Sequence, residues 1–268
     1  MIQACIPGSI PVLRTASNLG KIPLEELGSL EQSALQNYAQ AITVRVLVKG
    51  HWGSGFLIHR QGHLYTLLTN EHVVSGGRQF EVETPDGKRH TAWLPQDVQF
   101  GNYDLALLQF ESPDLTYAIA KLAPSLALPV GTPVFAAGFP IDQALRRATT
   151  ASPSQGQLSS HPQPNIPTLA FTAGRISVIP SKALERGYQF GYSNRVEKGM
   201  SGGPVLNLKG EVIAVNGMHA YPLWGDPYVF VDGSKPPQAV HEIMVASSFA
   251  IPMEVVLRLA PPALNLRL

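Results

Sequence analysis

Ala41-Ile42-Thr43-Val44-Arg45-Val46-Leu47-Val48-Lys49 is the stretch on which the fold turns. Ile42, Val44, Val46 and Val48 alternate with Thr43, Arg45, Leu47 and Lys49, the period of two that puts one set of side chains on one face of a strand. Just upstream the period differs. Ser29-Leu30-Glu31-Gln32 has the form of a capping box, and Leu30, Ala34, Leu35 and Tyr38 recur at helical spacing. This predicts one amphipathic helix near 29–40 leading into the fold. Downstream, β-rich runs continue at 54–59, 64–69, 79–84, 88–94, 104–110, 132–138, 169–179, 188–193, 203–208, 211–217 and 244–250. With 42–49 they make about twelve short strands, and Thr84-Pro85-Asp86-Gly87 and Asn207-Leu208-Lys209-Gly210 read as hairpin turns between pairs of them. Such a series predicts an all-β sandwich or barrels, not a parallel sheet with helical crossovers.

The segment 112–131, with Pro113, Pro124 and Pro129, reads as the connection between two halves, and a last short helix is predicted near 253–259, after Pro252. Two Pro-rich stretches, 151–167 and 222–237, read as surface loops. The second carries Trp224 and Tyr228, which either touch a partner or pack back on the body.

At 268 residues and 44% hydrophobic, the chain can build one large core or two small ones. Lys and Arg number 20 and Asp and Glu 19, so the net charge of +1 lacks the basic excess that nucleic acid or an anionic membrane selects. Apolar runs stop at about eight residues, well short of the roughly 18 to 20 that a spanning helix needs. The single cysteine, Cys5, allows no internal disulfide, so the fold must hold by packing and a disulfide-stapled secreted enzyme is excluded. Met1 to Pro11 lack the charged and apolar regions of a signal peptide. The protein is therefore expected either to stay inside the cell or to have lost a leader. Ile2-Gln3-Ala4-Cys5 has a partial likeness to a lipoprotein cleavage box without the apolar run before it, and Cys5 otherwise reads as a free thiol in a terminal segment.

Gly199-Met200-Ser201-Gly202-Gly203-Pro204 is the most informative hexapeptide. A serine hydroxyl attacks poorly unless a base takes its proton and N–H groups hold the oxyanion that forms. Flanking glycines permit the left-handed backbone that aims successive N–H groups at one point, although the same residues also make an ordinary turn. A base must come from elsewhere. His72 comes after the apolar run Leu64 to Asn70 and precedes Val73-Val74, so it sits where a strand ends. Asp104 opens Asp104-Leu105-Ala106-Leu107-Leu108, a carboxylate at the mouth of an apolar strand. Either residue alone would read as a cap.

Together they resemble a known family. Gly53-Ser54-Gly55-Phe56, Thr69-Asn70-Glu71-His72-Val73-Val74, Tyr103-Asp104-Leu105-Ala106-Leu107-Leu108 and Gly199 to Pro204 occur in the order and approximate spacing of trypsin-like serine peptidases. The set looks most like the disulfide-free bacterial HtrA-like branch and spans roughly 40–252. The resemblance implies two six-stranded antiparallel β-barrels: 1–40 as N-terminal extension and helix, 41–122 as first barrel, and 123–268 as second barrel and C-terminal segment. It implies Ser201 as nucleophile, His72 as general base and Asp104 as the group orienting the base, with the oxyanion hole at Gly199, Met200 and Ser201. It also implies a polypeptide substrate and an extracytoplasmic, periplasmic location; the enzyme is expected to be monomeric or loosely associated, with no cofactor or metal, and the charge balance already speaks against a nucleic-acid partner. Activity should then fall as pH drops through about 6 to 7.

The chain departs from the family at several points. Met200 stands where digestive relatives have an aspartate that pairs with a newly cut N-terminus, so that activation is unavailable and regulation would act on the loop from Arg195 to Lys198. The residues after Ser201 are taken up in completing the second barrel, so no PDZ domain is expected. By the resemblance, Asn216, Gly217 and Met218 line one wall of the primary substrate pocket, and Arg195 lies near its floor. A cation there, or His219 close by, would favour an acidic side chain at the cleaved residue. The alternative is Arg195 in solvent and a pocket for small apolar residues bounded by Met218. A catalytically silent module that holds a partner in the same cleft remains the rival to the enzyme.

Overall fold

Twelve strands close into two barrels, each antiparallel and six-stranded. The structure is a computed structural model that describes residues 29–77, 79–96, 98–113, 116–141, 168–222 and 225–266. Cys5, the stretch 151–167 and Trp224 lie outside them.

The helix α1 (Ser29–Ile42) hands over directly to β1 (Thr43–Val48), at the point where the sequence period changes. The first barrel continues with β2 (His51–Gln61), β3 (Leu64–Thr69), the single-turn helix α2 (Glu71–Val74), β4 (Phe80–Glu83), β5 (Arg89–Trp93) and β6 (Ala106–Glu111). Around the barrel the order is β1-β2-β3-β6-β5-β4, closed by β1 on β4. The second barrel holds β7 (Pro133–Gly138), β8 (Ala170–Val178), β9 (Phe190–Tyr192), β10 (Pro204–Leu206), β11 (Val212–Met218) and β12 (Ser248–Pro252), in the order β10-β11-β12-β9-β8-β7. Closure leaves neither sheet with an unpaired edge.

Each barrel has its own filling. Val44, Val46, Leu67, Leu108 and Phe110 pack inside the first, and Val134, Ala136, Tyr192, Val205 and Ile213 inside the second. A third cluster, with Ile42, Phe56, Leu68, Phe135, Leu206, Val215 and Phe249, joins the barrels face to face. The helix α1 contributes Leu35, Ala39 and Ile42 to it, one stripe at helical spacing. Fully burying side chains of this size stabilises by roughly 1.5–3 kcal/mol each, which lets the two barrels hold together without a covalent cross-link. The connection between β6 and β7 stitches them as well: Ala120 N–H donates to Leu57 O at 2.8 Å, and Ala123 N–H to Val212 O at 3.0 Å.

The hairpin turns close as predicted, Gly87 N–H on Thr84 O at 2.8 Å and Gly210 N–H on Asn207 O at 3.0 Å. The expected last strand at 244–250 needs correction. Residues Gln238–Val245 form a helix, α3, and β12 starts only at Ser248. Val240 and Met244, four apart, are buried while Ile243 is exposed, so the apolar run there carries a helical period before it turns into a strand. The helix α4 (Met253–Leu259) comes directly after Pro252, as predicted. Tyr228 is buried, its ring 5.4 Å from that of His241 and 5.9 Å from that of Phe249, so this loop aromatic packs back on the body.

Candidate active site

Asn70 follows β3 in an extended conformation, and its fully buried side chain donates through Nδ2 to Asp104 O at 2.8 Å. One helical turn comes next. Val73 and Val74 are driven into the first barrel's core, which leaves His72 on the outer face of α2 with 37% of its side chain exposed. Asp104, just before β6, has 1% of its side chain exposed. Its carboxylate accepts four hydrogen bonds. Oδ1 takes the His72 backbone N–H at 2.9 Å and Arg186 Nη2 at 2.9 Å, while Oδ2 takes His72 Nδ1 at 2.6 Å and the Tyr188 hydroxyl.

Burial alone would raise the Asp104 carboxyl, but the His72 hydrogen bond and charge, with the Tyr188 hydroxyl and the His72 N–H, outweigh it and hold the group below its ordinary value. Tyr188 moves the other way. Burial first, then the Asp104 charge, pushes its phenol well above the usual range, so it stays a donor. An ionised carboxylate can only accept, so the Nδ1 it contacts must carry a proton, and the Nε2 lone pair of neutral His72 is left free.

The serine arrives from the second barrel. Glu197 to Met200 form a tight turn, Met200 N–H donating to Glu197 O at 3.0 Å, with Gly199 at φ +96°. A positive φ at the third position marks a type II turn, in which the central peptide is flipped relative to type I. The flip is held in place: Lys198 O accepts Ile141 N–H at 2.8 Å, and Ser54 Oγ donates to Gly199 O at 2.8 Å. A trans peptide points its C=O and N–H in opposite directions, so Gly199 N–H faces away from Ile141. It has no partner among the described residues, nor has Ser201 N–H. Both can receive an oxyanion. The Met200 N–H does not join them as expected, because Glu197 O holds it and the side chain is buried beneath the turn.

Ser201 is tied to the first barrel through Ser54 N–H, which donates to Ser201 O at 2.8 Å. Gly202, at φ +84°, lies so close that a Cβ would stand 2.2 Å from Ser54 O and 2.3 Å from Thr69 Oγ1, one residue before Asn70. The Ser201 hydroxyl itself donates to Gly217 O at 3.2 Å. Gly217 in turn lines a cavity of about 280 Å³ together with His72, Asp104, Arg186, Tyr188 and Met218. The imidazole and the carboxylate thus line this cavity directly, and the Ser201 hydroxyl is linked to it through the Gly217 carbonyl.

The expected pocket residues divide. Gly217 and Met218 face the cavity beside His72. Asn216 is fully buried behind it, with Oδ1 accepting the Tyr192 hydroxyl and its backbone bonded to Gly202 and Gly203, so it supports the serine turn. Arg195 has 75% of its side chain exposed and pairs with Glu197 Oε1 at 2.8 Å. His219 is exposed, with Nδ1 against Ala220 O at 2.8 Å. The cation that borders this cavity is Arg186, and neither it nor Tyr188 belongs to any sequence motif. Ser54 and Asn70 stand inside the family motifs, but their tasks emerge only from tertiary contacts, Ser54 with Gly199 of the second barrel and Asn70 with Asp104.

The trypsin-like peptidase domain matches residues 53–215 of the chain, a stretch holding His72, Asp104 and Ser201. The serine protease Do-like HtrA of Bacillus subtilis (strain 168) is 30% identical over 168 residues, 62% of this chain and 33% of that protein. A probable periplasmic serine endoprotease DegP-like of Hahella chejuensis (strain KCTC 2396) is 31% identical over 164 residues, 61% of this chain and 29% of that protein. The matched stretch thus spans about a third of the length of these curated relatives. Among solved structures, Deg5 superposes with a TM-score of 0.58 at 20% identity, covering 87% of this chain and 94% of that one. The HtrA-type protease AlgW with tripeptide gives 0.58 at 19% identity, covering 85% and 61%. On the family match and the shared two-barrel fold, the chain belongs to the trypsin-like peptidase domain family.

Proposed function

We propose that the chain is a serine endopeptidase acting on exposed polypeptide segments. Ser201 Oγ attacks the scissile carbonyl carbon as His72 Nε2 takes its proton; the carbonyl oxygen becomes the oxyanion received by the N–H groups of Gly199 and Ser201. His72 then gives the proton to the leaving amine, and the C–N bond breaks to leave an acyl ester on Ser201. Water, deprotonated by the same imidazole, hydrolyses that ester. Asp104 keeps Nδ1 protonated and stabilises the imidazolium. Before attack the hydroxyl must leave Gly217 O for His72 Nε2.

The observation that carries this reading is the 2.6 Å contact of His72 Nδ1 with an otherwise saturated, buried carboxylate, which presents the other ring nitrogen as a base. Two backbone N–H groups near an accessible hydroxyl add the electrostatic half, each worth about 3 kcal/mol in the transition state. A monomer in an extracytoplasmic compartment fits this reading, the second by likeness to the probable periplasmic DegP-like endoprotease of Hahella chejuensis.

A fluorophosphonate probe tests it. The wild type should be labelled and should degrade an unfolded protein substrate, and Ser201→Ala should do neither. Absent or equal labelling would instead mark a silent module that holds a partner.

A further inference from the structure

Arg186 has a conformation and a set of partners that a surface arginine does not need. It sits at φ 61°, ψ 13° inside the short turn Glu185–Gly187, a left-handed backbone that a side chain disfavours and that persists only where surroundings impose it. The turn belongs to the second barrel but is fastened to the first at Asp104. Arg186 O accepts the Asp104 N–H at 3.0 Å, and its guanidinium donates to Asp104 Oδ1 at 2.9 Å. The same Nη2 also meets Glu71 Oε2 at 2.6 Å, one residue before His72.

We propose that Arg186 is a positioning residue for the His72–Asp104 pair, a cation reaching across from the second barrel that withdraws part of the carboxylate's charge from the imidazole and so sets the pH at which His72 becomes a base. It rests on His72 acting as that base. The charged and titratable groups facing the pair are Glu71 from α2, Tyr188 and Arg186 from the second barrel, and Glu185, which lines the same cavity. Arg186 is the one cation among these described groups. Removing it leaves the imidazolium facing an uncompensated Asp104 and Glu71, so protonation becomes easier. Removing Glu71 does the reverse, since the anion that shares the Arg186 guanidinium is lost and the whole of that cation is left to Asp104.

The experiment compares wild type with Arg186→Gln, Arg186→Lys and Glu71→Gln. The acid limb of kcat/KM for an unfolded peptide substrate is measured, and the His72 ring is titrated by NMR in a Ser201→Ala background. Arg186→Gln should move the midpoint up by about half a pH unit, Glu71→Gln should move it down, and Arg186→Lys should return it close to wild type. A merely structural arginine would lower activity equally at every pH and leave both midpoints in place, and that result overturns the proposal. Should Arg186→Gln not fold, Glu71→Gln and Arg186→Lys still decide it, by the downward shift and by its absence. The NMR arm needs no turnover: opposite shifts uphold the role of Arg186 even if the wild type cleaves nothing, which would count against the peptidase reading alone.

Discussion

Replacing Asp104 by Asn keeps the shape of the side chain but swaps one acceptor for a donor, and the four contacts fix which one. The amide NH2 can occupy the place of Oδ1 or of Oδ2. At Oδ1 it would face the His72 backbone N–H and the Arg186 guanidinium, two groups that can only donate. At Oδ2 it faces His72 Nδ1 and the Tyr188 hydroxyl, both of which can become acceptors. The substituted side chain must therefore turn its NH2 toward the imidazole. His72 Nδ1 then accepts, the proton moves to Nε2, and the nitrogen proposed to deprotonate Ser201 carries a hydrogen instead. With the wrong tautomer the loss is about 10⁴-fold in kcat, or about 5.4 kcal/mol on the barrier. The assay is turnover of an unfolded substrate near pH 7.5, with circular dichroism to verify the fold and ¹⁵N shifts of His72 to read the tautomer. Activity within tenfold of wild type, or a proton still on Nδ1, would refute the reasoning.

The same geometry has three further outcomes. Gly199→Ala sets a side chain at φ +96° with its Cβ 2.4 Å from Phe139 O; the turn should relax toward type I, lowering kcat by about 10²- to 10³-fold while far-ultraviolet circular dichroism stays native. Ser54→Ala removes the donor to Gly199 O and the acceptor, at 2.8 Å, of Phe139 N–H, which should cost roughly 1–3 kcal/mol in urea unfolding and lower kcat more than it changes KM. Asp104 makes stability depend on pH. Its folded carboxyl titrates below the unfolded value of about 3.9, so its contribution is present above that value and is lost as pH falls through the lower folded one. The stability gap between wild type and Asp104→Asn should accordingly narrow as pH is lowered from about 7 to about 2.5; a gap that widens on acidification would contradict it.

Much of the fold could be read from local pattern, because a barrel strand exposes its periodicity in five or six residues. The switch at Ala41 to Thr43 is both the sequence boundary between periods and the handover from α1 to β1. The expected strand at 244–250 slipped at its start, where Met244-Val245-Ala246 is apolar enough for either structure and the face toward the core decides. At the site, His72, Asp104 and Ser201 stood out because each sits in a motif whose neighbours have local tasks: Val73 and Val74 anchor a turn, and Gly199 and Gly202 allow positive φ. Of the two readings open for Arg195, the exposed one holds, for a corresponding reason. Six residues before the serine is a statement about chain position, and the side chain's direction is set by Glu197, on which it folds back.

By itself, then, the amino-acid order determined most of the strands, their turns and the identities of a hydroxyl, an imidazole and a carboxylate, since alternation, turn chemistry and glycine conformation act within a few residues. Only the packing of one barrel on the other decided what surrounds those three groups. Tyr188 and Arg186 lie 84 and 82 residues from Asp104 along the chain, and Ser54 lies 145 from Gly199. Contacts of that separation exist because two closed sheets bury a shared apolar face, and no run of neighbouring residues encodes them.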